Sequence, residues 1–414
     1  MIARLTFNAC AARSWQTGAE RPIEDAMTFQ LDPEKQALKD AIERLCADFG
    51  DDYWLARDSD GAWPEEFVRA VTEAGWLGIV MPEAYGGAGL GVTDAAIMMQ
   101  TVAASGGGFT AASSVHINLF GPQPIVHFGS DEQRARMLRP LIAGTERMCF
   151  GVTEPNAGLD TGAIETRAER DGDDYIITGQ KIWTSTAQGA DWIMLIARTS
   201  PRSEGGKSTD GLTLFHTPLD RNHIEVREIA KMGRKAVDSN SVFIDGLRVP
   251  ARDRIGEEGA GFKYLLHGLN PERILIGAEA IGIGQAALAR ATDYAREREV
   301  FGRAIGQNQG IQHPLARAWM QLEAANLMVF DAAARFDSDE PCGAQANAAK
   351  YLGAEAAHDA CERAVLTHGG MGYAKEFHVE RYLRESYIAR IAPVSAEMIL
   401  NYIAERVLDL PRSY

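Results

Sequence analysis

The sequence predicts an α+β fold in which the two kinds of structure are segregated along the chain. Apolar residues recur at helical spacing through the first third. Short β-branched and aromatic runs, separated by turn residues, fill the middle. From Gly261 onward long helical patterns return. This order favours an α+β arrangement over an alternating βαβ sheet. It divides the chain into a helical domain over 29–147, a β domain over 148–250 and a second helical domain over 251–414, behind an extension over 1–28.

The extension carries Arg4, Arg13 and Arg21, and its one acid before Arg21 is Glu20. It reads either as a transit-peptide-like segment or as a disordered leader. Asp32-Pro33-Glu34 is a helix start, with Asp as N-cap and Pro in the first turn. Ala37, Leu38, Ala41, Ile42, Leu45 and Phe49 continue its apolar face. Pro64-Glu65-Glu66 opens another helix, and Ser130 with Gln133 forms a capping box. Tyr85–Gly91 is a glycine-rich surface turn, and Gly106–Gly108 is a hinge.

In the middle, strands are expected at Ala163–Glu169, Tyr175–Thr178, Trp192–Ala197, Leu212–Thr217, Ile224–Ile229 and Ser241–Ile244. Asp171–Gly172 turns the first pair into a hairpin. Helices are then expected over Ile274–Arg298, Ile311–Asp337, Ala344–His368 and Ser395–Leu408. Two motifs mislead. Gly282-Ile283-Gly284 fits a dinucleotide-turn pattern but lies inside a helix with no strand before it, so close helix packing is expected. Gly206-Lys207-Ser208 mimics the end of a phosphate loop, but Pro201 replaces its first glycine.

Composition narrows the function. The 414 residues include 42 Lys and Arg against 57 Asp and Glu, a net charge of −15, which argues against nucleic acid as the main partner. The five cysteines (Cys10, Cys46, Cys149, Cys342 and Cys361) are scattered, so neither a disulfide framework nor a metal site is expected, and a reducing compartment is. That compartment is the bacterial cytoplasm, or the mitochondrial matrix if the extension is a transit peptide. The longest apolar run, Ile274–Leu288, is interrupted by Glu279 and Gln285, so no membrane span is expected.

Phe150–Ser185 is the most informative segment. A Thr-Glu-Pro-Asn-Ala-Gly turn opens it, a hairpin follows, and Trp183-Thr184-Ser185 closes it. Turn backbone, hydroxyls and a large aromatic suit a planar, hydrogen-bonding ring system. VTEPNAG, GQKIWTS, REREVFG, QNQ and HGGMGY then occur in this order. Together with the helix–β–helix organisation, they resemble the acyl-CoA dehydrogenase family from about Phe29 to Leu410.

The resemblance implies an N-terminal helical domain, a β-barrel-like antiparallel middle domain and a C-terminal four-helix bundle. It implies FAD as cofactor, an acyl-CoA substrate, an electron-transfer flavoprotein as acceptor, and a homo-oligomer, a dimer or a pair of dimers, with the tetramer expected. Phe150, Val152, Thr153, Trp183, Thr184 and Ser185 are then expected on the flavin. Arg298, Phe301 and Gln309 are expected to reach the FAD of a neighbouring subunit, Arg298 by paired hydrogen bonds to phosphate. His368, Gly369 and Gly370 match the family's glycine turn at the adenosine end, with Leu366 where many members carry Gln, and Ser395 matches a Thr near the cofactor.

The family reaction needs a carboxylate to take the α-proton. Many members place it in a Tyr-Glu-Gly-Thr turn, where this chain has Ala392-Pro393-Val394-Ser395. Pro393 cannot be a base and has no N–H for the thioester oxygen. Either the alignment slips there, or another donor serves, or the chemistry differs. Isovaleryl-CoA and long-chain acyl-CoA dehydrogenases carry a Glu-Arg pair on a helix instead, and Glu272-Arg273 matches it. Glu272 is the expected base, with Leu159, Asn270, Arg273 and Ala392 on the substrate; small Ala392 leaves room for branching. On its own, Asn270-Pro271-Glu272 also reads as a helix start with Glu in the first turn. Two other readings of the fold are a flavin oxidase or monooxygenase and a non-catalytic DNA-binding or assembly relative.

Overall fold

The computed structural model describes residues 31–201 and 206–413, so the expectations for the extension over 1–28 lie outside the described residues. Helices α1 (Pro33–Cys46), α2 (Asp51–Asp60), α3 (Glu65–Glu73), α4 (Val92–Val102), α5 (Gly108–Phe120), α6 (Gln123–Phe128) and α7 (Asp131–Ile142) form the first part. Their ends follow the local signals. Asp32 Oδ1 accepts from Lys35 N at 2.9 Å, and Ser130 and Gln133 exchange both capping-box bonds, at 3.2 and 2.9 Å. The hinge before α5 has Gly106 and Gly108 at positive φ.

Strands β1 (Met148–Gly151), β2 (Arg167–Asp171), β3 (Asp174–Ser185), β4 (Trp192–Arg198), β5 (Leu212–Pro218), β6 (Ile224–Glu228), β7 (Ser239–Pro250) and β8 (Arg254–Ile255) follow. They form one sheet in the order β6-β7-β3-β2-β4-β5-β8, with β1 beside β4. Two expectations are corrected here. The edges β6 and β8 do not pair, so the sheet is open rather than a closed barrel. It is also mixed, because β4 runs parallel to β1 and to β2. The first strand of the hairpin starts at Arg167, since Ala163 belongs to a single 3₁₀ turn.

The last part holds α8 (Gly261–Glu297), a small hairpin of β9 (Glu299–Val300) and β10 (Arg303–Ala304), then α9 (Gln309–Asp337), α10 (Gly343–His368), α11 (Val379–Ile391) and α12 (Ala396–Arg406). Helices α8 to α11 pack on one another, α12 lies against α10, and α4 joins them on α8. By length and composition α8 alone, among the described residues, could cross a membrane, but most of its apolar stretch is buried inside the protein. Its glycines explain the close packing. A Cβ on Gly282 would lie 2.3 Å from Gln100 O, and one on Gly284 2.6 Å from Leu322 Cδ2.

Candidate active site

The Thr-Glu-Pro turn is clamped to β3 by a buried ion pair. Glu154 accepts from Lys181 Nζ at 2.8 Å and from the backbone N–H groups of Glu165 and Thr166 at 2.7 and 2.9 Å. Lys181 Nζ also donates to Val152 O at 3.2 Å, and Ile182 N donates to Thr153 O at 2.9 Å. Burial pulls the Lys181 pKa down to about 8, against the attraction of Glu154. The motif matches had not singled out either member of this pair. The pair fixes Val152 and Thr153 beside the strand that carries Trp183.

Between Lys181 and Thr184 the register of β3 on β7 slips by one residue, a β-bulge. Trp183 sits in it at φ 61°, a left-handed conformation that costs a bulky residue about 1–3 kcal/mol, and the residue is 56% exposed. Thr184 is buried with Oγ1 lacking a protein partner, while Ser185 pairs with Ser239 on β7. An aromatic turned outward by the bulge, beside an unpartnered hydroxyl, is a surface that fits a flavin. Phe150 on β1 touches Phe120 of α5, ring centroids 5.3 Å apart.

Glu272 lies within α8, eleven residues after its first residue, so the helix-start reading is overturned: α8 runs through Pro271. A helix-terminus effect on Glu272 therefore falls away. Its carboxyl keeps a path to solvent but lies deep in the protein. Burial pushes its pKa up to about 7, opposed by His116, Arg273 and Lys350 and reinforced by Glu279. Asn270 Oδ1 accepts from Arg273 Nη1 at 2.9 Å. Buried Lys350 on α10 donates from Nζ to Val394 O at 2.5 Å, tying the turn Ala392–Ser395 to the elements around Glu272. Ser395 caps α12, accepting from Met398 N at 3.4 Å.

The remaining predicted residues stand elsewhere. Arg298, Phe301 and Gln309 are exposed around the β9–β10 hairpin, and Phe301 is fully exposed at φ 55°. His368 closes α10, stacked on Tyr294 at 4.3 Å. Gly369 has φ 60°, and neither it nor Gly370 has an atom within 4 Å of a would-be Cβ. Leu159 is exposed on the loop after the Thr-Glu-Pro turn. Among the described residues none of these shares a hydrogen bond, ion pair or ring contact with Glu272 or Trp183.

Sequence profiles for the acyl-CoA dehydrogenase N-terminal, middle and C-terminal domains match residues 32–145, 149–247 and 259–408. The chain is 37% identical over 393 residues to acyl-CoA dehydrogenase FadE12 of Mycobacterium tuberculosis (strain H37Rv), covering 94% of this chain and 99% of that one. The structure of butyryl-CoA dehydrogenase from Megasphaera elsdenii superposes with a TM-score of 0.87 at 29% identity, over 92% of this chain and 100% of the other. The FAD complex of PigA gives 0.87 at 25% identity, over 92% and 99%.

Proposed function

The chain belongs to the acyl-CoA dehydrogenase family, whose members here are oxidoreductases acting on CH–CH bonds, and on that premise we propose that it oxidises an acyl-CoA thioester to the 2-enoyl-CoA with Glu272 as base. The observation that carries this reading is the Glu272 carboxyl, pushed up toward neutrality by its depth within α8 and opposed by the charges of His116, Arg273 and Lys350. A base of that strength is about half ionised near pH 7, so it can take a proton there and still hold it well once taken.

FAD, when bound, supplies the acceptor for the β-hydride. Trp183 and Thr184 would hold its ring system with Val152, Thr153, Phe150 and Ser185, and the exposed Arg298, Phe301 and Gln309 would meet the cofactor of a second copy. The open backbone at Gly369 and Gly370 and the end of α10 at His368 would take its adenosine end, with Ser395 nearby. Glu272 removes the α-proton. Pro393 has no N–H to offer the thioester oxygen, so charge developing there would rely on Arg273 and Lys350, the cations that already act on Glu272. Asn270 orients Arg273, Leu159 flanks the substrate, and Ala392 leaves room near the reacting carbons. An electron-transfer flavoprotein is the proposed acceptor, and a dimer of dimers the proposed assembly.

The experiment is an anaerobic titration of the FAD-loaded protein with a panel of acyl-CoAs. Bleaching of the flavin by at least one, and its loss in Glu272→Gln with FAD retained, is the expected result. No bleaching by any acyl-CoA, or undiminished bleaching in the variant, would refute the assignment.

A further inference from the structure

Helix α5 carries a polar stripe on one face. Thr110, Ser113 and His116 are three residues apart and share one face. Each is held by a charged residue from a different element. Thr110 donates from N and Oγ1 to Glu385 of α11 at 3.1 and 2.6 Å. Ser113 Oγ accepts from Arg234 Nη1, in the loop between β6 and β7, at 3.0 Å. His116 Nδ1 lies 2.5 Å from Glu279 Oε1 of α8. A carboxylate oxygen accepts, so Nδ1 carries the proton and Nε2 is left to face something else.

Some of these charges already have partners. Glu385 lies 3.5 Å from Arg381, which also donates to Gly106 O at 2.6 Å. His116 is only 8% exposed, and its Nε2 is buried with no protein partner. Glu279 Oε2 is likewise buried without a partner. Arg234 commits one N–H to Ser113 and remains partly exposed. Burial alone would strip the proton from His116, but the adjacent Glu279 and then Glu272 outweigh it, against Arg234, so its proton affinity is raised. The stripe therefore presents the Arg234 guanidinium and, once His116 takes its second proton, an Nε2–H without a protein partner.

Position links these donors to the base. Glu279 follows Glu272 by seven residues, two turns along one face of α8, or about 10 Å. His116 is bonded to that face, and its ring lies 4.9 Å from Phe120, which touches Phe150 on β1. A separate cavity of 320 Å³ is lined by Ser114, Ile117 and Asn118 on the other side of α5, and His116 takes no part in it. His116 Nε2 is buried outside that cavity, and Glu272 and Arg234 are among the charges that act on its ring.

We propose that His116 and Arg234 form a polar end to the acyl site beside Glu272, and that the preferred substrate carries a hydrogen-bond-accepting oxygen, hydroxyl or carboxylate, on its acyl chain beyond the β-carbon. The proposal rests on the dehydrogenase reading and names the substrate class for it. Glu279 acts as a positioning residue that fixes the ring and keeps its proton. A purely aliphatic tail would bury the Nε2–H without a partner, a loss of about tenfold to a hundredfold relative to a tail that accepts from it.

The test compares pentanoyl-CoA, 5-hydroxypentanoyl-CoA and glutaryl-CoA, matched in chain length, by anaerobic flavin reduction and by kcat/KM with the FAD-loaded protein. At least one oxygenated member should exceed pentanoyl-CoA by tenfold or more, and the arm that does so identifies hydroxyl or carboxylate. His116→Phe/Glu279→Leu, which removes both polar partners together, should bring the ratio to near one through KM. Glu279→Gln, a milder change, should reduce it in the same direction if the double variant does not fold. Equal or better turnover of pentanoyl-CoA by the wild type overturns the proposal, as does reduction by branched or longer aliphatic acyl-CoAs alone. Failure of every acyl-CoA to bleach the flavin instead removes the dehydrogenase reading on which it stands.

Discussion

Replacing Glu272 by Gln should separate catalysis from stability in opposite directions. The carboxyl has an ordinary value of 4.5 and is pushed up to about 7 in the folded chain. The folded state therefore holds its proton to higher pH than the unfolded state. Its stabilising contribution is full below about pH 4.5 and is lost as pH rises through about 7. The shift of roughly 2.5 units corresponds to about 3 kcal/mol between pH 4 and pH 8. Gln, neutral at every pH, removes that loss. In urea unfolding at matched FAD, the variant should gain on the wild type by about 2.5 kcal/mol on going from pH 5 to pH 8. The same substitution should slow flavin reduction by an acyl-CoA by about 10²–10⁴-fold. In the wild type that rate should climb with pH and level off above about 7. A stability difference independent of pH, together with a flat rate profile from pH 5.5 to 8.5, would refute a deep, near-neutral base.

Lys181→Met leaves Glu154 buried without its cation and should cost about 3–5 kcal/mol by denaturant unfolding, with FAD retention falling alongside. Trp183→Gly relieves a left-handed backbone, so stability should hold or rise by about 1 kcal/mol, while the ratio of flavin to protein absorbance after gel filtration drops. Gly282→Ala drives a methyl group against Gln100 O and should destabilise by about 1–3 kcal/mol; an unchanged melting temperature would contradict the packing described for α8. Phe301→Asp should lower the oligomeric mass seen by light scattering, because the proposed assembly sets this fully exposed phenyl ring against a second copy.

Much of the local structure was legible in the sequence because short-range chemistry sets it. Asp32 and Ser130 cap the helices they precede, Gly172 turns the β2–β3 hairpin at φ 62°, and Gly282 and Gly284 read correctly as packing positions. The motifs from Val152 to Tyr373 identified the family, and Glu272 stood out beside Arg273. What sequence reading missed depends on pairings between distant segments. Pro271 looked like a boundary because proline breaks local hydrogen bonding. Packing of α8 against α4, α9 and α10 carries the helix through it. The open edges of the sheet follow from which strands find partners, which no single strand's pattern reveals.

Glu279 was visible as an acid interrupting an apolar run, but nothing in the sequence reading pointed to His116 as its partner, because the two lie 163 residues apart. The sequence by itself determined most of the helices and strands and the helix–β–helix order, since capping, turns and periodicity act over a few residues. The tertiary structure alone decided that 163 residues of separation close to a 2.5 Å contact between His116 and Glu279. It alone raised the proton affinity of Glu272 and turned Trp183 outward at a bulge. Burial, charge proximity and register are properties of the packed chain, and they come into being only when its distant parts meet.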